Sequence, residues 1–149
     1  MRREKALTSI AFVLLFLSAS VAVPIIGAAS GDGKKDKQAT WSSAFDRAPA
    51  EATRAANPYE GKAEAALAGQ KLFKRHCEEC HGTEGAGTNY APSLRSSLLR
   101  AAKPGTLFWF LKNGNLRRGM PSWSGLPEQQ RWQIVSYLKS VNTDKENER

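Results

Sequence analysis

Cys77-Glu78-Glu79-Cys80-His81 is the stretch that decides the fold of this chain. Two thiols three residues apart, followed at once by a histidine, have the spacing for covalent haem attachment. Both sulfurs can form thioethers to the vinyl groups of one porphyrin, and the histidine is delivered to its iron. One short turn then holds both ring and metal. Three other uses of these residues are weaker. A disulfide across a two-residue gap closes so small a loop that it adds little stability. A thioredoxin-like redox pair needs strand-helix-strand surroundings, and no β-rich run flanks the motif. A zinc site would have to take His76, Cys77, Cys80 and His81 from six consecutive residues, whereas zinc sites usually join two separated ligand pairs.

Haem attachment to thiols takes place outside the cytoplasm, so the motif calls for export. Arg2, Arg3 and Lys5 form a basic n-region, an apolar run from Ala6 to Val23 follows, and Gly27-Ala28-Ala29 supplies the small residues a signal peptidase favours. The expectation is a signal peptide over residues 1–29, cleaved after Ala29, and a periplasmic or otherwise extracytoplasmic protein. The apolar run is near the lower limit for crossing a bilayer, so an uncleaved, membrane-anchored form is the alternative. Arg2-Arg3 is weak support for twin-arginine export, because paired charges are ordinary in an n-region. No cysteine stands near the cleavage point, which excludes a lipoprotein anchor.

The 149 residues divide into a signal segment, a linker or wrapping arm over 30–60, one domain over 61–142 and a charged tail over 143–149. The arm is rich in Gly, Lys, Asp, Ala and Pro and shows no sustained period. Its scattered aromatics, Trp41, Phe45 and Tyr59, are candidates to dock on the domain. A domain of this size has a marginal hydrophobic core and needs a staple. Haem supplies one, so the apo chain is expected to be poorly folded.

Three helices follow from periodicity and end signals. The first runs from about Lys62 to His76, with Ala66, Gly69 or Gln70, Phe73 and Cys77 at three-to-four spacing. The second begins near Pro104, carries Leu107, Phe110 and Leu111 on one face, and stops at Asn113-Gly114. The third starts at Pro127-Glu128 and carries Ile134, Tyr137, Leu138 and Val141. Gly69 inside the first helix costs about 1 kcal/mol relative to alanine, which points to close packing there. Between the first two helices, 82–87 reads as a flexible loop. It lacks the strand-loop-helix setting of a phosphate-binding motif, so no nucleotide is assigned to it.

With the haem motif, Gly69 and Phe73 on one helix, Ile134 and Tyr137 on the other, and Gly119-Met120-Pro121 between the second and third helices, the chain resembles the monohaem class I cytochromes c. The resemblance covers about Gly61 to Val141. It implies an all-α class I cytochrome c fold, with three main helices around one covalently attached haem c and its iron. Met120 lies where that family places its distal iron ligand, on a loop stiffened by Pro121. The implied set is therefore Cys77 and Cys80 on the porphyrin and His81 and Met120 on the iron. Pro92 looks like the family's proline whose carbonyl accepts the proximal histidine's second ring proton, which would orient the His81 ring. His76 adjoins the motif on the proximal side and is given a surface or packing role. Trp123 covers the ring or reaches a propionate. The short stretch from Gly114 to Gly119 leaves little chain over the lower haem edge, so that edge is expected to be exposed.

The implied function is a one-electron carrier, not an enzyme. The alternative is a haem enzyme or gas sensor with an open sixth position, but no second histidine or arginine is spaced like a distal catalytic pair. The formal charge of +8 falls by two to +6 when Arg2, Arg3, Lys5 and Glu4 leave with the signal segment. Lys103, Lys112, Arg117 and Arg118 flank the expected exposed edge and would steer an acidic redox partner, a periplasmic dehydrogenase or terminal oxidase. Nucleic acid is not a partner for an exported chain without a basic binding motif.

Overall fold

A computed structural model describes residues 43–143. The expected signal segment over 1–29, the first part of the arm with Trp41, and the tail from Asp144 lie outside the described residues. Along the chain come α1 (Ala50–Arg54), α2 (Ala63–His76), α3 (Glu78–His81), α4 (Ser97–Ala101), α5 (Pro104–Asn113) and α6 (Glu128–Thr143). Turns of 3-10 helix lie at Thr83–Gly85 and Leu116–Arg118. The described residues form no strand, only one isolated bridge that pairs Asn115 with Met120. The fold is all-α.

The three long helices begin and end where their sequence signals lie. Glu64 in the first turn of α2 and Lys74, Arg75 and His76 in its last match the helix dipole at both ends. Pro104 occupies the first turn of α5, where its missing N–H costs nothing. The short α4 is capped by Ser96, whose Oγ accepts from the Leu99 amide at 3.3 Å.

The frame of the molecule is the crossing of α2 and α6, its largest helix-helix contact. At Gly69 a Cβ would lie 1.9 Å from the Gln133 carbonyl oxygen and 3.0 Å from Tyr137 Cβ. The backbones therefore touch where the side chain is missing. One turn on, the rings of Phe73 and Tyr137 pack with centroids 5.3 Å apart. Phe73 and Ile134 are each 1% exposed, and burying a side chain of that size contributes roughly 1.5–3 kcal/mol. Helix α5 closes the core with Leu107 and Leu111, joined by Leu99 of α4 and by Val135 and Leu138 of α6.

Two polar side chains of α6 fasten the irregular stretch before α5, and neither belongs to a sequence motif. Asn142, buried, accepts from the Ser96 amide at 3.1 Å and donates to the Leu94 carbonyl at 3.0 Å. Lys139 donates to the carbonyls of Arg100 and Ala102 at 2.6 and 3.1 Å, at the end of α4.

Candidate cofactor site

Helix α2 carries the thiol motif directly into the interior. The Cys77 amide still donates to the Phe73 carbonyl at 2.8 Å, then the chain breaks from helical geometry at Cys77 (φ −126°) and the single turn α3 swings Cys80 and His81 round. His81 is 8% exposed, Cys77 is half-buried and Cys80 is exposed. All three line one cavity of about 540 Å³, and Met120 reaches the same cavity from the loop after α5. Its walls are mostly apolar, with Phe73, Leu99, Leu111, Ile134 and Leu138 among them.

The His81 ring is oriented by a backbone carbonyl: Nδ1 lies 3.1 Å from the oxygen of Pro92. A carbonyl can only accept, so Nδ1 carries the proton and Nε2 keeps its lone pair. Burial pulls the His81 pKa below the ordinary imidazole value, opposed in part by the bond to Pro92. At neutral pH the ring is therefore uncharged, with the Nε2 lone pair that a metal would need. Burial, with a smaller contribution from Cys80, pushes the Cys77 thiol up to about 12. A thiol held that high is protonated at neutral pH, unlike the low-pKa thiolate of a redox pair.

The loop from Gly82 to Gly87, expected to be flexible, is tied down. The Gly87 amide donates to the His81 carbonyl at 2.7 Å, the Leu94 amide to the Gly85 carbonyl at 2.8 Å, and Arg95 Nε to the Glu84 carbonyl at 2.9 Å. Arg95 also pairs with the Glu84 carboxylate. Thr88 Oγ1 donates to the Cys80 carbonyl at 2.5 Å and accepts from the amides of Tyr90 and Ala91 at 3.1 and 3.3 Å. The motif and the turn that carries Pro92 thus form one hydrogen-bonded unit. None of these partners is adjacent in sequence, so the local glycine content gave the wrong impression.

The Met120 loop is held by its backbone. Asn115 and Met120 exchange N–H···O bonds of 2.8 and 3.2 Å, and between them Gly119 takes a left-handed conformation (φ +80°) that glycine adopts without strain. Beyond Met120, Ser122 Oγ donates to the Lys112 carbonyl at 2.6 Å and the Trp123 amide to the Leu111 carbonyl at 3.0 Å. Both bonds fasten the loop to α5. His76 and Trp123 line the cavity together, with ring centroids 5.4 Å apart.

Arg131 is a residue of this region that no motif reveals. It is 7% exposed, and its Nη1 donates to the Ser124 carbonyl at 3.0 Å and to the Leu126 carbonyl. Its guanidinium lies over the Phe108 ring, 5.1 Å from the centroid. The arginine therefore fixes the segment that joins the Met120 loop to α6. Arg131→Met should lower the unfolding free energy by about 1.5–3 kcal/mol, because the charge-assisted bonds from a buried guanidinium to the Ser124 and Leu126 carbonyls are lost. Chemical denaturation followed by helical circular dichroism measures this, and an unchanged midpoint would show that the clamp contributes nothing.

The donor set fits a haem better than a bare metal ion. Among the described residues no group of three or more His, Cys, Asp or Glu side chains could hold an ion, so His76, Cys77, Cys80 and His81 do not converge on one. An apolar cavity in the size range of a small-molecule site, with two sulfurs and an imidazole lone pair at its wall, suits a large flat apolar ring with a metal at its centre.

The family model described as cytochrome c oxidase, cbb3-type, subunit III matches residues 64–138 of the chain. Among solved structures, cytochrome CL from the marine methylotrophic bacterium Methylophaga aminisulfidivorans MPT is similar at 26% sequence identity and a TM-score of 0.49, over 56% of this chain and 57% of that one. The chain thus spans little more than half the length of that cytochrome. No curated protein matches the chain.

Proposed function

The chain belongs to the family of c-type cytochrome domains described as cytochrome c oxidase, cbb3-type, subunit III, and from that premise we propose that it is an exported one-electron carrier with His81 and Met120 on its haem iron. The observation that carries this reading is the meeting of Cys77, Cys80, His81 and Met120 at one apolar cavity. Haem bound there supplies a one-electron couple between ferrous and ferric iron.

Each residue has its own part. Cys77 and Cys80 hold one porphyrin through two thioethers, and one haem c per chain is the proposed stoichiometry. His81 presents Nε2 because Pro92 occupies Nδ1. Met120 offers a thioether sulfur, a soft donor that favours the reduced state. The apolar wall excludes water. No catalytic residue is proposed.

In the proposed domain plan, residues 1–29 direct export to the periplasm, 30–60 are an arm and 61–142 are the haem domain. No helix among the described residues is long and apolar enough to cross a membrane. Arg118 lines the cavity, and Arg117 precedes it on the same 3-10 turn. With Lys103 and Lys112 on the neighbouring helix, they form the proposed docking face for an acidic redox partner, a periplasmic dehydrogenase or terminal oxidase. Salt weakens such steering.

The test of the attachment is the mass of the exported protein and of Cys77→Ala, Cys80→Ala and the double variant. The parent should carry the mass of one haem that stays with the polypeptide under denaturing conditions. Each single variant should keep a reduced yield of bound haem, and the double variant none. Haem that leaves the denatured parent would contradict covalent attachment.

A further inference from the structure

We propose that the described part of the arm, residues 43–60, is a clasp that closes one wall of the haem cavity, and that Phe45 on it raises the reduction potential. This rests on the carrier reading above. The matched family region begins at residue 64, yet Phe45 lines the cavity and meets Phe110 edge to face, with ring centroids 5.0 Å apart. A residue from outside the family domain therefore forms part of the cofactor's surroundings.

The arm is fitted to its place. Next to Phe45, Ala44 is 4% exposed, and the turn is closed by the Ala48 amide donating to the Phe45 carbonyl at 3.0 Å. Helix α1 then packs on α5 at Gly105, where a Cβ would lie 2.0 Å from the Ala52 carbonyl oxygen and 2.8 Å from that of Ala55. Only a residue without a side chain lets the two backbones come so near. Farther on, Asn57 Nδ2 donates to Ser136 Oγ of α6 at 2.9 Å, while its Oδ1 accepts from the Tyr59 amide at 3.0 Å. Two separate attachments, at Gly105 of α5 and Ser136 of α6, hold the arm and Phe45 against the cavity.

The consequence is electrostatic. The ferric centre carries one more positive charge than the ferrous, so water near the ring favours the oxidised form and an apolar wall disfavours it. Phe45 replaces water at that wall.

The reduction potentials of the full-length exported holoprotein, Phe45→Ala and Phe45→Leu decide the matter. Phe45→Ala should shift the equilibrium at least threefold toward the oxidised form, a fall of roughly 30 mV at about 59 mV per decade for one electron. Phe45→Leu should shift it by less than half as much. Gly105→Ala, which changes no residue of the cavity wall, should lower the potential in the same direction by displacing α1. An unchanged potential in Phe45→Ala, even with lower thermal stability, would overturn the proposal and leave the arm a structural brace. Absorption spectra of the same samples keep the two readings apart: a parent protein without His/Met character would sink the carrier reading, whatever the potentials did.

Discussion

Met120→Ala should turn a centre indifferent to carbon monoxide into one that binds it. The parent is expected to show a low-spin c-type spectrum with the weak iron-sulfur charge-transfer band when oxidised. In the variant that band should vanish completely, the ferric spectrum should become high-spin or take on a water-ligated form, and reduced protein should shift on adding the gas. The potential should fall as well, since a thioether ligand favours ferrous iron. The fold should survive, because the loop is held by the Asn115 and Met120 backbone pair and by Ser122 and Trp123, none of which uses the methionine side chain. An unchanged spectrum in the variant would remove Met120 from the ligand set.

Gly69→Ala should cost a large part of the protein's stability, although it adds only one methyl. In an isolated helix alanine is favoured over glycine by about 1 kcal/mol. Here the new methyl would sit 1.9 Å from the Gln133 carbonyl oxygen, and backbone cannot rotate away as a side chain can. Helices α2 and α6 must separate, which places the loss at about 3 kcal/mol or beyond, the upper end for overpacked cores. Because α2 ends at the Cys77 motif, the yield of haem-loaded protein should fall with the stability. Denaturant titration of the purified protein measures the first and haem absorbance per polypeptide the second. Leu67→Ala on the same helix, at a position 61% exposed, is the control and should be near neutral. A Gly69→Ala protein as stable as the parent would mean that the helices do not cross this closely.

What could be read from the chain was local or repeated. The three long helices announced themselves through three-to-four spacing and through Pro104, Asn113-Gly114 and Pro127-Glu128. The Cys77-to-His81 spacing is a covalent ruler and needs no tertiary information. Gly69 was legible for a different reason: a glycine in mid-helix is unfavourable alone, so its presence pointed to a contact across helices. The Pro92 carbonyl and the position of Met120 came through the resemblance rather than through any local pattern, and ligation by Met120 is a proposal.

The remainder depends on partners far apart in sequence. Arg131 resembles any charged residue of a solvated helix until Ser124, Leu126 and Phe108 are seen around it. Asn142, near the end of α6, ties down Leu94 and Ser96 across more than forty residues. The loop after His81 looked flexible from its glycines, yet Arg95, Leu94 and Thr88 close it with bonds that composition cannot express. In the arm, Phe45 was one of three candidate aromatics. Its edge contact with Phe110 is accompanied by the close approach of α1 to α5 at Gly105, and neither partner is near in sequence.

The visible and near-infrared absorption spectrum of the purified holoprotein, oxidised and reduced, with and without carbon monoxide, is the decisive measurement for a closed His81/Met120 iron. A low-spin c-type spectrum that ignores the gas and shows the iron-sulfur band is the predicted result. A high-spin spectrum that shifts with carbon monoxide would contradict it and would make the chain a binder of small ligands at an open iron.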